Sequence, residues 1–474
     1  MTPGHGVDSA SGRASSAVLA LACAVQFMVV LDVSVVNVAL PSIQRALGFD
    51  DGSQQWVVNA YVLPFAGFLL LGGRLPDLVG LRRVVPLGLA LFSGASLVGG
   101  LATSAELLVA ARAAQGLGAA VLAPASLTAL TTTFPEGPRR TRALAAWTAV
   151  GMAGGTAGNL LGGVLTEYLS WRAVLLVNVP IGVVAALLAQ RFPGRGAGNG
   201  PVRPLDVPGA VLATGALTSL TFGVDHARTH GWGATTTTSA LLVGLAALLA
   251  FLVVEARFAR EPLVPLRLFR VRAVSVGNAA VLLAGAALNP MWYFLTLVMQ
   301  QSLHYSPLLT GLGFLPHTVV TIVVTALVTP WLMGRVGSRT LVVAGALVAA
   351  AGFWWQSRIT ADSGYLEGVL GPAVVFSLGS GLLNTPITTT VTAGVGAADA
   401  GAASGLMNTT KQFGAALGLA VLVTASAGDL ATPQALAAEH GRAFLMIAAV
   451  LVVVAAVATA LPAPSRDQAG QRPT

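Results

Sequence analysis

One carboxylate and one guanidinium stand inside apolar stretches of the chain. Asp32 lies in LDVSVVNVALP, residues 31–41, and Arg112 lies in LLVAARAAQGLGAAV, residues 107–121. An ionisable side chain at membrane depth costs about 3 kcal/mol or more, so its presence indicates a functional site. A buried carboxyl group could load a proton on one side of a membrane and release it on the other. The alternative is a carboxylate that a polar neighbour neutralises and that only locks helix packing.

Arg112 needs a partner if it lies at membrane depth. An unpaired guanidinium in hydrocarbon must meet a carboxylate, backbone carbonyls or a water-filled cavity. Asp32 is the candidate that fits chemically, whereas the alternative is an arginine that extends to the lipid headgroups. Gln115 follows three residues after Arg112 and therefore shares its helix face. These three side chains are the predicted centre of the site.

Four further polar side chains in apolar stretches are candidates for a substrate cavity. Asn37 could share the cavity of Asp32 or bond a neighbouring helix, and Asn159 stands beside a run of glycines. His317 could relay protons, although a local hydrogen bond is the simpler role. Lys411 is the single lysine of the chain, and it could line the cavity or extend to the headgroups.

The composition is that of a membrane protein. Only 9% of the 474 residues are charged and 55% are apolar, whereas soluble domains have roughly 25% charged residues. The net charge of +8 comes from short scattered clusters, so no nucleic-acid partner is expected. Lys411 is preceded by Thr410 and not by glycine, which excludes a P-loop there. With one cysteine, Cys23, and no His-Glu-x-x-His run, we expect neither an enzyme, nor a cofactor, nor a metal site.

Apolar stretches of about 17–25 residues predict fourteen transmembrane helices in an all-α polytopic membrane protein. They are arranged as six, two and six. The predicted spans are 17–40, 55–73, 84–103, 105–131, 143–167, 172–190, 207–224, 238–256, 273–298, 308–330, 339–357, 365–390, 403–427 and 442–461.

The basic residues alternate between successive loops as the positive-inside rule requires, with both termini cytoplasmic. Only five arginines are placed on the extracellular side of the membrane: Arg45, Arg172, Arg228, Arg358 and Arg442. The predicted organisation is a cytoplasmic tail 1–16, a six-helix bundle 17–190, a cytoplasmic linker 191–206, two extra helices 207–256, a cytoplasmic connector 257–272, a second six-helix bundle 273–461 and a cytoplasmic tail 462–474.

A loop after the second span has a partial echo after the tenth. The first is GGRLPDLVGLRR, residues 72–83, and the second is LMGRVGSRT, residues 332–340. The echo retains Gly337 where Gly80 stands, although Gly334 replaces the carboxylate Asp77. Related loops in two halves are typical of transporters built from internal repeats. Asp77 could cap a helix or pair with a cation, and the loop could equally be a plain basic surface loop.

Glycines of the fifth span recur at intervals of four, three and four residues. They are Gly151, Gly155, Gly158 and Gly162, which therefore share one helix face. Such stripes of small residues chiefly let two membrane helices approach closely. The same face could also act as a hinge or a seal.

Taken in order, these motifs resemble the major facilitator superfamily, and more narrowly its fourteen-span drug:proton antiporters. Further motifs that fit this group are Trp171-Arg172, Asn178-Val-Pro-Ile-Gly182, Glu261-Pro-Leu-Val-Pro-Leu266 and the segment 399–418. The resemblance covers nearly the whole chain. It implies the major facilitator fold, in which two six-helix bundles surround a central cavity that opens alternately to each side.

The resemblance also implies roles for individual residues. Asp32 would take part in proton coupling and substrate recognition, and Arg112 would match the fourth-span arginine of proton coupling. A conformational latch would comprise Gly73, Asp77, Gly80, Arg82 and Arg83, and the antiporter helix would comprise Gly151, Gly155, Gly158, Gly162 and Gly163. This chain departs from the family pattern at Leu78 and Leu81, where basic residues are common, and at Asn159, where the family has proline.

The predicted function is proton-driven export of an amphipathic small molecule, such as an antibiotic, across the bacterial cytoplasmic membrane. Its expected partners are that molecule, protons and the lipid bilayer, and the protein is expected to be a monomer. Uptake of a metabolite by proton symport is the alternative within transport. A membrane sensor or an enzyme is the alternative outside it, although no residues for catalysis were found.

Overall fold

The computed structural model describes most of the chain. The described ranges are 5–50, 53–134, 138–190, 206–259, 262–263, 266–393, residue 395, 400–428 and 432–462. The predicted linker 191–206 and tail 462–474 lie almost wholly outside them. Within these ranges the secondary structure is helical and contains no strand.

Eight helices occupy the first part of the described chain. They are α1 His5–Leu47, α2 Trp56–Val79, α3 Leu81–Gly100, α4 Ala105–Thr133, α5 Pro138–Tyr168, α6 Ala173–Ala189, α7 Val207–His230 and α8 Thr235–Phe258. A short helix Ser53–Gln55 precedes α2.

The remaining described chain follows the same pattern of long helices and short connections. The helices are α9 Arg272–Ser302, α10 Pro307–Val336, α11 Ser338–Gln356, α12 Leu366–Val391, α13 Ala400–Ser426 and α14 Pro433–Ala458. Helices α8, α9, α10 and α12 each contain one wider turn of π-helix.

Ten of the described helices are long and apolar enough to cross a membrane, and the α6 stretch is a shorter apolar helix. Outward-facing side chains agree with lipid surroundings. In α8, for example, Leu242, Val243 and Leu249 are each more than half exposed. A face of this kind would be costly in water and is expected in hydrocarbon.

The helices extend beyond the apolar stretches that predicted them. The last helix begins at Pro433, ahead of the predicted membrane span 442–461, and the Thr432 hydroxyl caps it by accepting a hydrogen bond from the Ala435 amide at 3.1 Å. Hydropathy detects only the part of a helix that is apolar, whereas capping and backbone hydrogen bonds decide where it begins.

The chain divides into two compact units. The first comprises Met1–Thr214, Ala259–Glu261 and Ser306–Leu312, and the second comprises Gly215–Phe258, Pro262–Tyr305 and Gly313–Thr474. In the first unit, α1 packs on α5, and α4 packs on both α2 and α3. In the second unit, α11 packs on α12 and α14, and α9 packs on α13.

The sequence echo between the two loops is visible in the backbone. Gly80 links α2 to α3 with φ +85° and ψ 142°, and Gly337 links α10 to α11 with φ +79° and ψ 155°. This conformation is essentially restricted to glycine, which explains why both repeats have it at the same place. Near the Gly80 turn, Arg82 and Arg83 are exposed, whereas the Asp77 side chain lies outside the described part of the structure.

The glycines of α5 bring that helix onto α1. A methyl group at Gly158 would lie 2.8 Å from the Leu31 carbonyl oxygen, and one at Gly162 would lie 2.7 Å from the Val35 carbonyl oxygen. Gly155 is less tightly packed, since its nearest neighbour, Val30, would be 3.7 Å away. The tight part of the stripe therefore faces the turns of α1 on either side of Asp32.

Enlarging Gly162 should destabilise the first unit. Gly162→Val would force α5 away from the α1 backbone, and overpacking of this kind costs about 1–3 kcal/mol. Gly94→Val is the matched control, because nothing lies within 4 Å of the position that a Cβ would take at Gly94. We expect thermal unfolding of the purified protein to shift for Gly162→Val alone. Equal shifts for both variants would contradict this account of α5.

Candidate functional site

An ion pair joins α1 to α4 inside the first unit. The Arg112 Nη1 atom lies 2.6 Å from Asp32 Oδ2, and both side chains are at most 2% exposed. The partner that the sequence suggested for Arg112 is thus the one found in the structure. A buried charge whose partner is removed is strongly destabilising, so these two residues depend on each other.

Two amide side chains hold the other oxygen of the carboxylate. Asp32 Oδ1 accepts hydrogen bonds from Gln115 Nε2 at 3.0 Å and from Asn178 Nδ2 at 2.7 Å. The second Nε2 hydrogen of Gln115 is donated to the Ser96 hydroxyl at 2.6 Å. Asp32 therefore receives donors from α4 and α6, and through Gln115 it is also connected to α3.

The Arg112 guanidinium has partners besides the carboxylate. Its Nε donates to the Val57 carbonyl of α2 at 3.0 Å, and Nη1 also donates to Gln115 Oε1 at 3.1 Å. The guanidinium carbon lies 4.4 Å from the centre of the buried Tyr61 ring, which is a cation–π distance. Besides the carboxylate, a backbone carbonyl, an amide oxygen and an aromatic ring therefore hold the guanidinium in place.

Close helix packing places these side chains. A methyl group at Gly116 would overlap the Tyr61 carbonyl oxygen, so glycine lets α4 approach α2 next to Arg112. A methyl group at Gly182 would overlap the Ser93 hydroxyl, so glycine lets α6 approach α3 one turn beyond Asn178. The network is therefore built on helix contacts that larger residues would prevent.

Sequence reasoning missed part of this network. Asn178, Ser96 and Tyr61 were not candidates, although all three are at most 1% exposed. A signal was available for Asn178, which stands as a polar residue within the apolar stretch 172–190. A neutral side chain has many possible neighbours, and the sequence does not say which helix it faces.

Two predicted cavity residues lie elsewhere in the first unit. The Asn37 amide donates to the Val33 carbonyl of its own helix at 3.0 Å and does not reach the Asp32 network. Asn159 is 1% exposed within α5, and its backbone carbonyl faces Gly311, where a methyl group would be only 2.5 Å away. Gly163 likewise faces the Pro307 carbonyl, so this face of α5 packs on the segment Ser306–Leu312.

The other two predicted residues, His317 and Lys411, line a cavity of about 230 Å³ inside the second unit. Its walls come from α9, α10, α12 and α13. Its other polar lining includes Asn289, Thr321, Ser380, Asn384 and Asn408, and its apolar lining includes Val281, Leu288, Met291, Trp292, Ile387 and Met407.

His317 lies within hydrogen-bonding distance of a neighbouring hydroxyl group. Its Nδ1 atom lies 2.5 Å from the Ser377 hydroxyl, which is also close to the Ala373 carbonyl oxygen. The direction of the hydrogen bond between His317 and Ser377 follows from the tautomer of the ring. The ring also contacts the faces or edges of Trp292 and Phe376, at centroid distances of 4.9 and 5.1 Å.

The described residues contain no cluster of three or more His, Cys, Asp or Glu side chains that could hold a metal ion.

Comparison with known proteins assigns the chain to a family. Residues 22–419 match the Major Facilitator Superfamily. The chain is 57% identical to the cephamycin export protein CmcT of Amycolatopsis lactamdurans, over 98% of this chain and 95% of that protein. It is 41% identical to the puromycin resistance protein pur8 of Streptomyces alboniger, over 89% of this chain and 83% of that protein.

A solved structure agrees on the fold. The POT family transporter PepTSo, crystallised in meso, aligns with a TM-score of 0.71 at 13% identity, over 97% of this chain and 99% of that chain. The helical fold, the apolar spans and the family match over most of the chain agree with one another. The chain is a multi-span membrane protein, and it belongs to the Major Facilitator Superfamily.

Proposed function

We propose that this protein exports an antibiotic or a related amphipathic small molecule across the bacterial cytoplasmic membrane, driven by inward proton flow. The observation that carries the export assignment is the 57% identity, over nearly the whole of both chains, to a cephamycin export protein. The puromycin resistance relative supports the same class of activity. Resistance follows from export, because an exporter lowers the concentration of the drug in the cell.

We further propose fourteen membrane spans arranged as six, two and six, with both termini cytoplasmic. Ten helices have suitable length and hydropathy, and α6 is a shorter apolar helix. Helices α2, α5 and α13, with 24, 31 and 27 residues, are long enough to complete the set. The alternation of arginine between loops supports the orientation.

Asp32 is the proposed proton carrier. Its Oδ1 already accepts two hydrogen bonds, whereas Oδ2 has Arg112 as its one hydrogen-bond partner within the described ranges. A proton arriving at Oδ2 would remove the charge that holds Arg112 Nη1. The guanidinium would retain the Val57 carbonyl, Gln115 Oε1 and the Tyr61 ring, so it could move without becoming unpartnered. Protonation would therefore weaken the bond between α1 and α4 and leave the rest of the network in place.

The proposed cycle exchanges a proton for a substrate molecule. Asp32 takes up a proton when the cavity is open to the outside, the substrate leaves, and the carrier reorients. It then releases the proton inside as new substrate binds. Inward movement of one charge supplies about 2.3 kcal/mol per 100 mV, in addition to the pH gradient.

Two further assignments accompany this cycle. The turn formed by Gly73, Asp77, Gly80, Arg82 and Arg83 is the proposed conformational latch, and its positive-φ glycine supports a fixed turn there. The glycines of α5 are the proposed antiporter helix, and their tight contact with the Asp32 region of α1 supports a link between helix packing and coupling.

Proton coupling should depend on Asp32. In everted membrane vesicles that have been acidified inside by respiration, adding a transported antibiotic to the parent protein should release protons from the vesicle interior. Asp32→Asn keeps the shape of the side chain and cannot carry a proton, so it should show no such release. The same pair should differ in a resistance panel in a host that lacks other pumps.

Two results would contradict the proposal. Equal proton release by Asp32→Asn and the parent would remove Asp32 as the carrier. Greater accumulation of drug in expressing cells, in place of protection, would indicate uptake rather than export.

A double-mutant cycle separates the structural role of the ion pair from its role in coupling. Asp32→Asn alone leaves Arg112 buried without its countercharge, which should cost about 3–5 kcal/mol of folding free energy. Arg112→Gln added to it removes both charges and should recover much of that stability. Thermal unfolding and transport should both be measured. Recovered stability without recovered transport is the expected result, whereas transport that recovers with stability would make the pair merely structural.

A further inference from the structure

Lys411 is a cation with no counterion among the residues of the second unit that the structure describes. It is the twelfth residue of α13, so about 17 Å of helix rise separates it from the first residue of that helix. This distance is too long for its four-carbon stem to bring the ammonium to a helix end. The side chain is exposed and lines the cavity described above. Among the described residues, no ion pair or hydrogen bond engages it.

The backbone around Lys411 is held rigidly. A methyl group at Gly285 would overlap the Lys411 carbonyl oxygen, and a methyl group at Gly414 would overlap the Leu282 carbonyl oxygen. Helices α9 and α13 are therefore in backbone contact directly at this point of the cavity. The position from which the ammonium enters the cavity is fixed by packing, which is what a binding group requires.

The remaining polar lining offers hydrogen-bonding groups without any countercharge. Asn289, Asn384 and Asn408 each donate one amide hydrogen to the carbonyl four residues earlier in their own helix. Each keeps a second hydrogen and its oxygen for a ligand. The Ser380 hydroxyl is 6% exposed, lines the same cavity and has no hydrogen-bond partner among the described residues. Buried hydroxyl groups are normally hydrogen-bonded, so the Ser380 hydroxyl is available to bond a ligand in the cavity.

We propose that this cavity binds an anionic group of the exported molecule, such as a carboxylate, through Lys411. Ser380 and the asparagine amides add hydrogen bonds, and Trp292 and Met291 provide the apolar wall for the adjoining part of the molecule. The inference rests on the proposed export function and specifies its substrate class as amphipathic organic anions. Because pockets that enclose a drug-sized ligand have roughly 300–1,000 Å³, the cavity of about 230 Å³ receives only one end of the molecule.

Binding should be measured with three probes that share one apolar body. They are 4-(1-pyrenyl)butyrate, its methyl ester and the corresponding trimethylammonium compound. The full-length protein is held in lipid nanodiscs, and energy transfer from tryptophan to pyrene reports binding after subtraction of partition into empty discs. The parent should bind the carboxylate more tightly than the ester by about tenfold or more, since a hydrogen bond to a charged group has at least this effect.

Variants at Lys411 isolate the charge. Lys411→Met should lose the preference for the carboxylate, Lys411→Arg should retain it, and Lys411→Glu should shift the preference to the trimethylammonium probe. The matched control is the double variant Lys411→Met/Gln412→Lys. It keeps the net charge of the protein but moves the lysine ammonium about 100° around the helix. This control should behave like Lys411→Met.

Several results would overturn the inference. They are equal binding of acid and ester by the parent, binding of no probe by the parent, and a carboxylate preference that survives in Lys411→Met. The discs should be prepared with phosphatidylcholine and again with phosphatidylglycerol. If phosphatidylglycerol abolishes the preference, the occupant is a lipid headgroup and the assignment to the exported molecule fails.

Asp32→Asn separates this inference from the proposed function. It should lose transport and keep the preference for the carboxylate probe, because Asp32 does not line this cavity. A parent that exports but binds acid and ester equally would refute the anion site alone. An Asp32→Asn protein that transports like the parent would refute the proposed coupling alone.

Discussion

The buried carboxylate of Asp32 imposes the central constraint on the first unit. A charge enclosed among apolar helices must be matched by a countercharge and by donors with good geometry, or the group is driven to its neutral form. Here the match comes from sequence positions as distant as Arg112 and Asn178. The helices that carry these groups must therefore keep their relative places for the charge to be tolerated. Under the proposed function, the same dependence means that protonation of one oxygen would loosen the contact between α1 and α4.

The glycine contacts support this arrangement. Gly116 brings α4 onto α2, Gly182 brings α6 onto α3, and Gly158 brings α5 onto α1. Each contact is between a glycine and backbone or small side-chain atoms, so the helices are held at short distances that leave little freedom to tilt. A bundle of this kind has few arrangements with comparable packing, which suits a carrier that moves between discrete states.

Much of the fold and the centre of the site could be predicted from sequence, because both follow from large local free-energy terms. Apolar length predicted the helices, and the cost of lone charges led from Arg112 to Asp32. Other features arise from packing between distant segments. Nothing local indicates that Asn178 donates to Asp32, or that Ser306–Leu312 packs on α5 with the Leu308 amide bonded to Glu167 at 2.9 Å. Apolar stretches also do not give the start of a helix, since the caps of helices such as α14 lie outside them.

Infrared difference spectroscopy would test the central claim most directly, because a protonated carboxyl group has a carbonyl band that a carboxylate lacks. At a pH low enough to protonate Asp32, purified parent protein should show that band without substrate and lose it when a transported antibiotic is added, because the proton leaves Asp32. The band should be absent from Asp32→Asn. A substrate-sensitive carboxyl band that persists unchanged in Asp32→Asn would show that another group carries the proton, and would contradict the account.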